Sequence, residues 1–96
     1  MTGLNMQEFK TALKGSHEIE FIYNGKDFVI QPELRGVSVY LVIWQSGDNA
    51  ACIAETKIDD KGHITDEDID SLLVQKCFDG RSLLDVEQDI IVSMVY

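Results

Sequence analysis

Positive charge is scarce in this chain. Eight lysines and arginines stand against seventeen aspartates and glutamates, a formal net charge of −9 over 96 residues. The deficit is uneven: residues 1–48 hold six acids and four bases, and residues 49–96 hold eleven acids and four bases. No basic patch is available to displace counterions, which argues against ordinary electrostatic binding to DNA or RNA phosphates and to an anionic membrane. An acidic face suits a basic partner surface, or serves solubility alone. Long apolar runs are missing as well. The longest, Val39 to Trp44, is six residues, against the roughly 18 needed for a membrane-spanning helix. The start, MTGLNMQEFK, lacks the basic region and apolar stretch of a secretory signal, so a cytoplasmic location is expected. A single proline, Pro32, and seven glycines exclude a linker-like or collagenous chain. Apolar content of 45% suits one folded domain over residues 1–96.

The residues that carry catalytic chemistry are also few. Cys52 and Cys77 have no CxxC spacing and read as small buried apolar residues, with no disulfide expected in a cytosolic chain. With His17 and His63 they are too few and too scattered for a zinc site. Cys77 falls near a helix C-terminus, where the negative end of the dipole disfavours a thiolate. The acidic stretch 59–70 fails as a calcium loop. Counted from Asp59, Lys61 occupies the third position and Ile64 the sixth, where a carboxylate and a glycine are needed. No phosphate-binding loop, GxGxxG or GxSxG motif is present. The expectation is a non-catalytic chain, with no catalytic residue, metal site or cofactor assigned.

What the sequence does hold is a hairpin. In Glu18–Gln31, EIEFIYNGKDFVIQ, the pair Asn24-Gly25 marks a type I′ turn, because both residues tolerate positive φ. With that turn, Tyr23 faces Lys26, Phe21 faces Phe28 and Ile19 faces Ile30, an apolar core face. Ile22–Asp27, Glu20–Val29 and Glu18–Gln31 fall on the other face. A slip of one residue would move both phenylalanines into water, so the register is strongly specified.

Around it the order α-β-β-β-β-α-α-β is predicted. Asn5 caps a helix to Lys14, with Glu8 in the capping-box place, Met6, Phe9 and Leu13 on one face, and Gly15 as the stop. Pro32 ends the second strand, and residues 33–36 connect. Val37–Gln45 is the strongest strand, with Val37, Val39, Leu41 and Ile43 on one face and Ser38, Tyr40, Val42 and Trp44 on the other. Ala50–Lys57 returns as a fourth strand, with Ile43 opposite Cys52 and Leu41 opposite Ala54. A turn is expected at residues 59–62. Thr65 caps a helix running to about Cys77, with Asp66, Glu67 and Asp68 at its positive end. Ser82, with Asp85, starts another short helix, and Ile90–Tyr96 is a last strand with Ile91, Ser93 and Val95 on one side and Val92, Met94 and Tyr96 on the other. The fold class is α+β: two layers, an antiparallel sheet of four to five strands with helices on one face.

Two segments carry a resemblance. Tyr23-Asn24-Gly25-Lys26 and Asp79-Gly80-Arg81-Ser82-Leu83 are similar to an N-terminal YNGK hairpin and a C-terminal DG[KR]SL motif in small uncharacterised proteins of Firmicutes and their phages or mobile elements. The resemblance implies a related fold and supplies no catalytic residues. Members often end in a tryptophan-containing helix, where this chain has Val86 and a strand-like tail.

These readings favour a protein-binding module whose partner has a basic surface. Ile22, Val29, Tyr40, Val42, Trp44 and Ile53 form a candidate patch on the second sheet face, covered by a helix or the last strand, or exposed as an interface. The contact is expected at Tyr40, Val42 and Trp44, or at the acidic helix start, Asp66, Glu67, Asp68 and Asp70. The last strand also offers an edge for a homodimer. Alternatives are an inhibitor that mimics nucleic acid, of the anti-defence or anti-CRISPR kind, and an antitoxin or immunity protein.

Overall fold

The computed structural model describes residues 1–59 and 63–96, so the turn expected at residues 59–62 lies largely outside the described residues. Helix α1 (Met6–Lys14) begins with the reciprocal cap: the Asn5 side chain accepts from the Glu8 N–H at 2.8 Å, and the Glu8 carboxylate accepts from the Asn5 N–H at 3.0 Å. Its Phe9 and Leu13 are fully buried. Strands β1 (Ile19–Tyr23) and β2 (Lys26–Arg35) form the hairpin in the predicted register, from Tyr23 opposite Lys26 to Ile19 opposite Ile30. Asn24 and Gly25 have φ of 52° and 73°, as a type I′ turn requires.

Pro32 does not end β2. The strand continues to Arg35, with Pro32 opposite Leu41 of β3 (Ser38–Gln45). The reason is the alternation of the ladder. Ser46 donates its N–H to the Asp27 carbonyl at 2.9 Å, so the backbone groups of Asp27 and every second residue after it face β3. Pro32 is out of that phase. Its missing N–H points to the side where β1 has already ended, so no sheet bond is lost.

Strand β4 (Ala51–Ile58) also departs from the expected register. Ile43 pairs with Ala54, Leu41 with Thr56, Val42 with Glu55 and Trp44 with Cys52. A bulge at Ile53 puts one extra residue in β4 and turns Ile53 towards the core with Ala54, away from the patch in which the sequence places it.

Helix α2 (Asp66–Leu73) starts as predicted. The Thr65 hydroxyl accepts from the Asp68 N–H at 3.2 Å, and Asp68 accepts from the Thr65 N–H at 2.9 Å. It stops well before Cys77. Gln75 leaves the helix and donates its side-chain amide to the carbonyls of Glu55 (2.6 Å) and Ser71 (3.2 Å). Phe78 and Arg81 then exchange backbone hydrogen bonds (2.9 and 3.1 Å) around Asp79-Gly80, whose φ values of 52° and 83° make a second turn of the Asn24-Gly25 kind. Ser82 and Asp85 do cap each other, at 2.8 and 3.2 Å, but the expected helix shrinks to turns and one 3-10 turn, Glu87–Asp89. Strand β5 begins at Ile91, so the segment is too short to offset the cost of nucleating a helix.

Strand β5 (Ile91–Val95) pairs antiparallel with β1, giving the sheet order β4-β3-β2-β1-β5. Thr2 lies along its outer side, donating to the Ile90 carbonyl and accepting from the Val92 N–H. Both helices and the 76–90 segment pack on one face of the sheet. There Phe9, Leu13, Ile69, Leu72 and Leu73 meet Ile19, Phe21, Ile30, Leu41 and Ile43 in a single core. The architecture is the expected two-layer α+β fold. Among the described residues no helix is long and apolar enough to cross a membrane.

Candidate functional site

The back of the sheet, opposite the helices, carries the polar and apolar residues that the core face rejects. Strand pairing arranges them as a raster. Tyr40 lies beside Glu33 and Lys57, Val42 beside Gln31 and Glu55, Trp44 beside Val29 and Cys52. Among the described residues no helix or strand covers this face, since α1, α2 and the 76–90 segment all pack on the core side.

The predicted contact at Tyr40, Val42 and Trp44 is nevertheless closed. Arg35 donates from Nε to Glu33 at 2.6 Å and from Nη1 to Glu55 at 3.0 Å, and its guanidinium carbon lies 4.7 Å from the centre of the Tyr40 ring. The Trp44 indole N–H donates to the other oxygen of Glu33 at 3.2 Å. These partners hold Tyr40 and Trp44 half-buried, and Val42 between them is fully buried (0% exposed). Neither a helix nor the last strand covers Val42; its neighbours on the same face do. The bonds to Glu33, then to Glu55, raise the Arg35 pKa well above its ordinary value, so the guanidinium stays charged. Val42 offers a partner nothing to touch.

The other half of the back face, built from β5, β1 and the start of β2, is open. Ile91 pairs with Ile22, and Met94 with Glu20. A bulge between these pairs adds Ser93 as an extra residue, which places Ile91 and Met94 on one face although strict alternation puts them on opposite faces. The Tyr96 hydroxyl reaches the same face and donates to Glu20 at 3.0 Å, a bond that raises the phenol pKa. Ile91, Met94 and Tyr96 are 48%, 49% and 59% exposed. Glu18, Glu20 and Asp27 surround them, and the back-face bases Arg35 and Lys57 lie at the far end of the sheet. Ile22 and Val29 of this half belong to the patch expected from sequence, whereas Ile91 and Met94 were missed because the bulge in β5 hides them from a period-two reading.

The acidic helix start lies on the opposite side of the molecule and is largely engaged. Lys14 reaches Asp66 at 3.1 Å and Lys10 reaches Asp70 at 2.6 Å, tying α1 to α2. Asp68 is held by the Thr65 cap, and Glu67 has no ion-pair partner among the described residues. Asp66 and Asp70 are well exposed, so each pair adds little stability. The two contacts predicted from sequence cannot form one surface.

The remaining candidates are dispersed. His17 Nδ1 is 2.9 Å from the Tyr96 carbonyl, beside an open cleft of about 410 Å³ between α1 and Val95. Cys77 is half-buried, and burial pushes its thiol pKa up, opposite to what a nucleophile needs. Among the described residues no group of three or more His, Cys, Asp or Glu side chains is placed to hold a metal. The two motif segments meet at one corner: Tyr23, Asn24 and Lys26 line a cavity of about 60 Å³ with Cys77, Phe78 and Asp79. Phe78 packs edge-on to Tyr23 and Phe28, with ring centres at 5.3 and 5.2 Å. The two motif segments are therefore two turns that support each other. Compared with known proteins, the chain matches no family model, and no curated protein or solved structure matches it.

Proposed function

We propose that this chain acts without catalysis, as a small protein-binding module whose partner presents a basic surface. The observation that carries the reading is the open half of the back face, where Ile91, Met94 and Tyr96 are exposed among Glu18, Glu20 and Asp27. Exposed apolar side chains grouped inside a polar rim are the usual mark of an interface. A reducing compartment such as the cytoplasm suits the two unpaired thiols. Edge-to-edge homodimerisation fits less well. Thr2 occupies part of the outer side of β5, and the Gln75 amide meets both backbone groups of Glu55 on β4. Nucleic-acid mimicry needs a row of unpaired carboxylates, whereas Asp66, Asp70, Glu33 and Glu55 all face bases.

The test compares two tagged baits in the native host, the natural chain and a Glu20→Lys/Asp27→Lys variant. Cross-linked partners are identified by mass spectrometry. A protein enriched only by the natural bait, and released by salt, supports the reading. Identical captures with both baits, or none, would refute it.

A further inference from the structure

We propose that the open half of the back face receives an amphipathic helix of the partner. The helix crosses β5, β1 and β2 with its apolar stripe on Ile91, Ile22 and Val29 and its flanking lysines or arginines on Asp27, Glu20 and Glu18. This rests on the protein-binding reading and adds the form of the partner.

The raster sets the geometry. Ile91 lies beside Ile22, Val29 is diagonal to Ile22, and Trp44 lies beside Val29. The stripe from Ile91 to Val29 crosses three strands, about 10 Å at the usual strand spacing. An α-helix covers this length in roughly two turns, which places apolar residues at i, i+3 or i+4, and i+7. Asp27 borders the diagonal on one side, and Glu20 followed by Glu18 borders it on the other. The Tyr96 hydroxyl fixes one oxygen of Glu20 at the border, so that carboxylate is already positioned. Among the described residues this half of the face holds no base.

Charge selects the occupant. A second copy laid on the same surface would set Glu18, Glu20 and Asp27 against their own equivalents, in a chain of net charge −9. The same carboxylates repel an anionic lipid surface. An added strand needs a free edge rather than a face, and both edges are partly occupied. A helix packed on the face repeats the way α1 and α2 pack on the front.

The experiment titrates the intact ¹⁵N-labelled chain with two helical peptides that share one leucine stripe, one flanked by lysines and the other by glutamates. The lysine peptide should shift the amides of Glu20, Ile22, Asp27, Val29 and Ile91. It should bind about tenfold tighter than the glutamate peptide, from three exposed charge contacts. Met94→Glu should weaken it, and Glu20→Lys/Asp27→Lys should reverse the preference while the spectrum stays dispersed. Shifts confined to Asp66–Asp70 would overturn this surface while leaving the protein-binding reading in place. Equal affinity for both peptides, no binding by either, or a doubled solution mass that engages the same amides would overturn the helix occupant. Only the bait comparison addresses the broader reading.

Discussion

Replacing Phe78 tests whether the two turns form one structural unit. Phe78 lies outside any helix or strand, yet it is only 5% exposed, with ring centres 5.2 Å from Phe28, 5.3 Å from Tyr23 and 6.3 Å from Phe21. Truncating a buried phenylalanine to alanine costs about 3–5 kcal/mol, from lost transfer energy and the cavity left behind. A chain of this length has a total stability of about 5–14 kcal/mol at roughly 0.05–0.15 kcal/mol per residue. Phe78→Ala should therefore remove a large share of it. Phe78→Leu keeps most of the volume and loses the edge-to-face pairs, each worth about 0.5–1.5 kcal/mol, so it should cost about 2 kcal/mol. Urea unfolding followed by fluorescence of Trp44, the only tryptophan, reads both. A cycle with Tyr23→Leu should give a coupling of about 0.5–1.5 kcal/mol. A loss below about 1 kcal/mol for Phe78→Ala, or zero coupling to Tyr23, would show that the turns stand independently.

Three further outcomes are expected. Gly3 has φ of +97°, and a Cβ there would sit 2.9 Å from the Val92 carbonyl oxygen, so Gly3→Ala should cost about 1–3 kcal/mol and speed amide exchange at Val92. Gln75→Ala uncovers both backbone groups of Glu55, and sedimentation should then show concentration-dependent association through β4; a strictly monomeric variant would contradict the shielding role. The Asp85 carboxyl pKa is held below its usual range, first by the Ser82 backbone N–H, then by the Ser82 side chain and Lys76. Its folded value lies below its unfolded value. Its stabilisation is therefore present above the ordinary carboxyl range and lost as pH falls through the folded value. Asp85→Asn should flatten that part of the acid denaturation curve.

The sequence revealed what local rules determine. The Asn24-Gly25 turn and the phenylalanine pair set every contact of the first hairpin, and the caps at Asn5 and Thr65 were legible because their partners stand three residues away. What failed depended on neighbours the sequence does not place. Pro32 is tolerated because β1 ends opposite Ile30. The bulges at Ile53 and Ser93 each reversed an alternation, moving Ile53 off the back face and bringing Met94 onto it beside Ile91. Helix α2 stopped early because Gln75 found a strand edge. The candidate site was half legible. Alternation places Tyr40, Val42 and Trp44 on the back face, but the cover over Val42 comes from Arg35 and Glu33 on β2 meeting Glu55 on β4, two strands away, and the sequence does not announce that meeting.

The sheet order also governs when the open surface comes into being. Strands β1 to β4 form a meander in which each strand pairs with the next, while β5 returns from the far end of the chain to pair with β1. That pairing closes the longest loop in the sheet and carries its largest ordering entropy, so β5 should dock last and leave first. Amide exchange should rank Met94 among the earliest sheet positions to open. Until β5 docks, the row from Ile91 to Val29 lacks one end. The proposed partner helix would then bind only chains that have finished folding, and binding would check completion as well as identity.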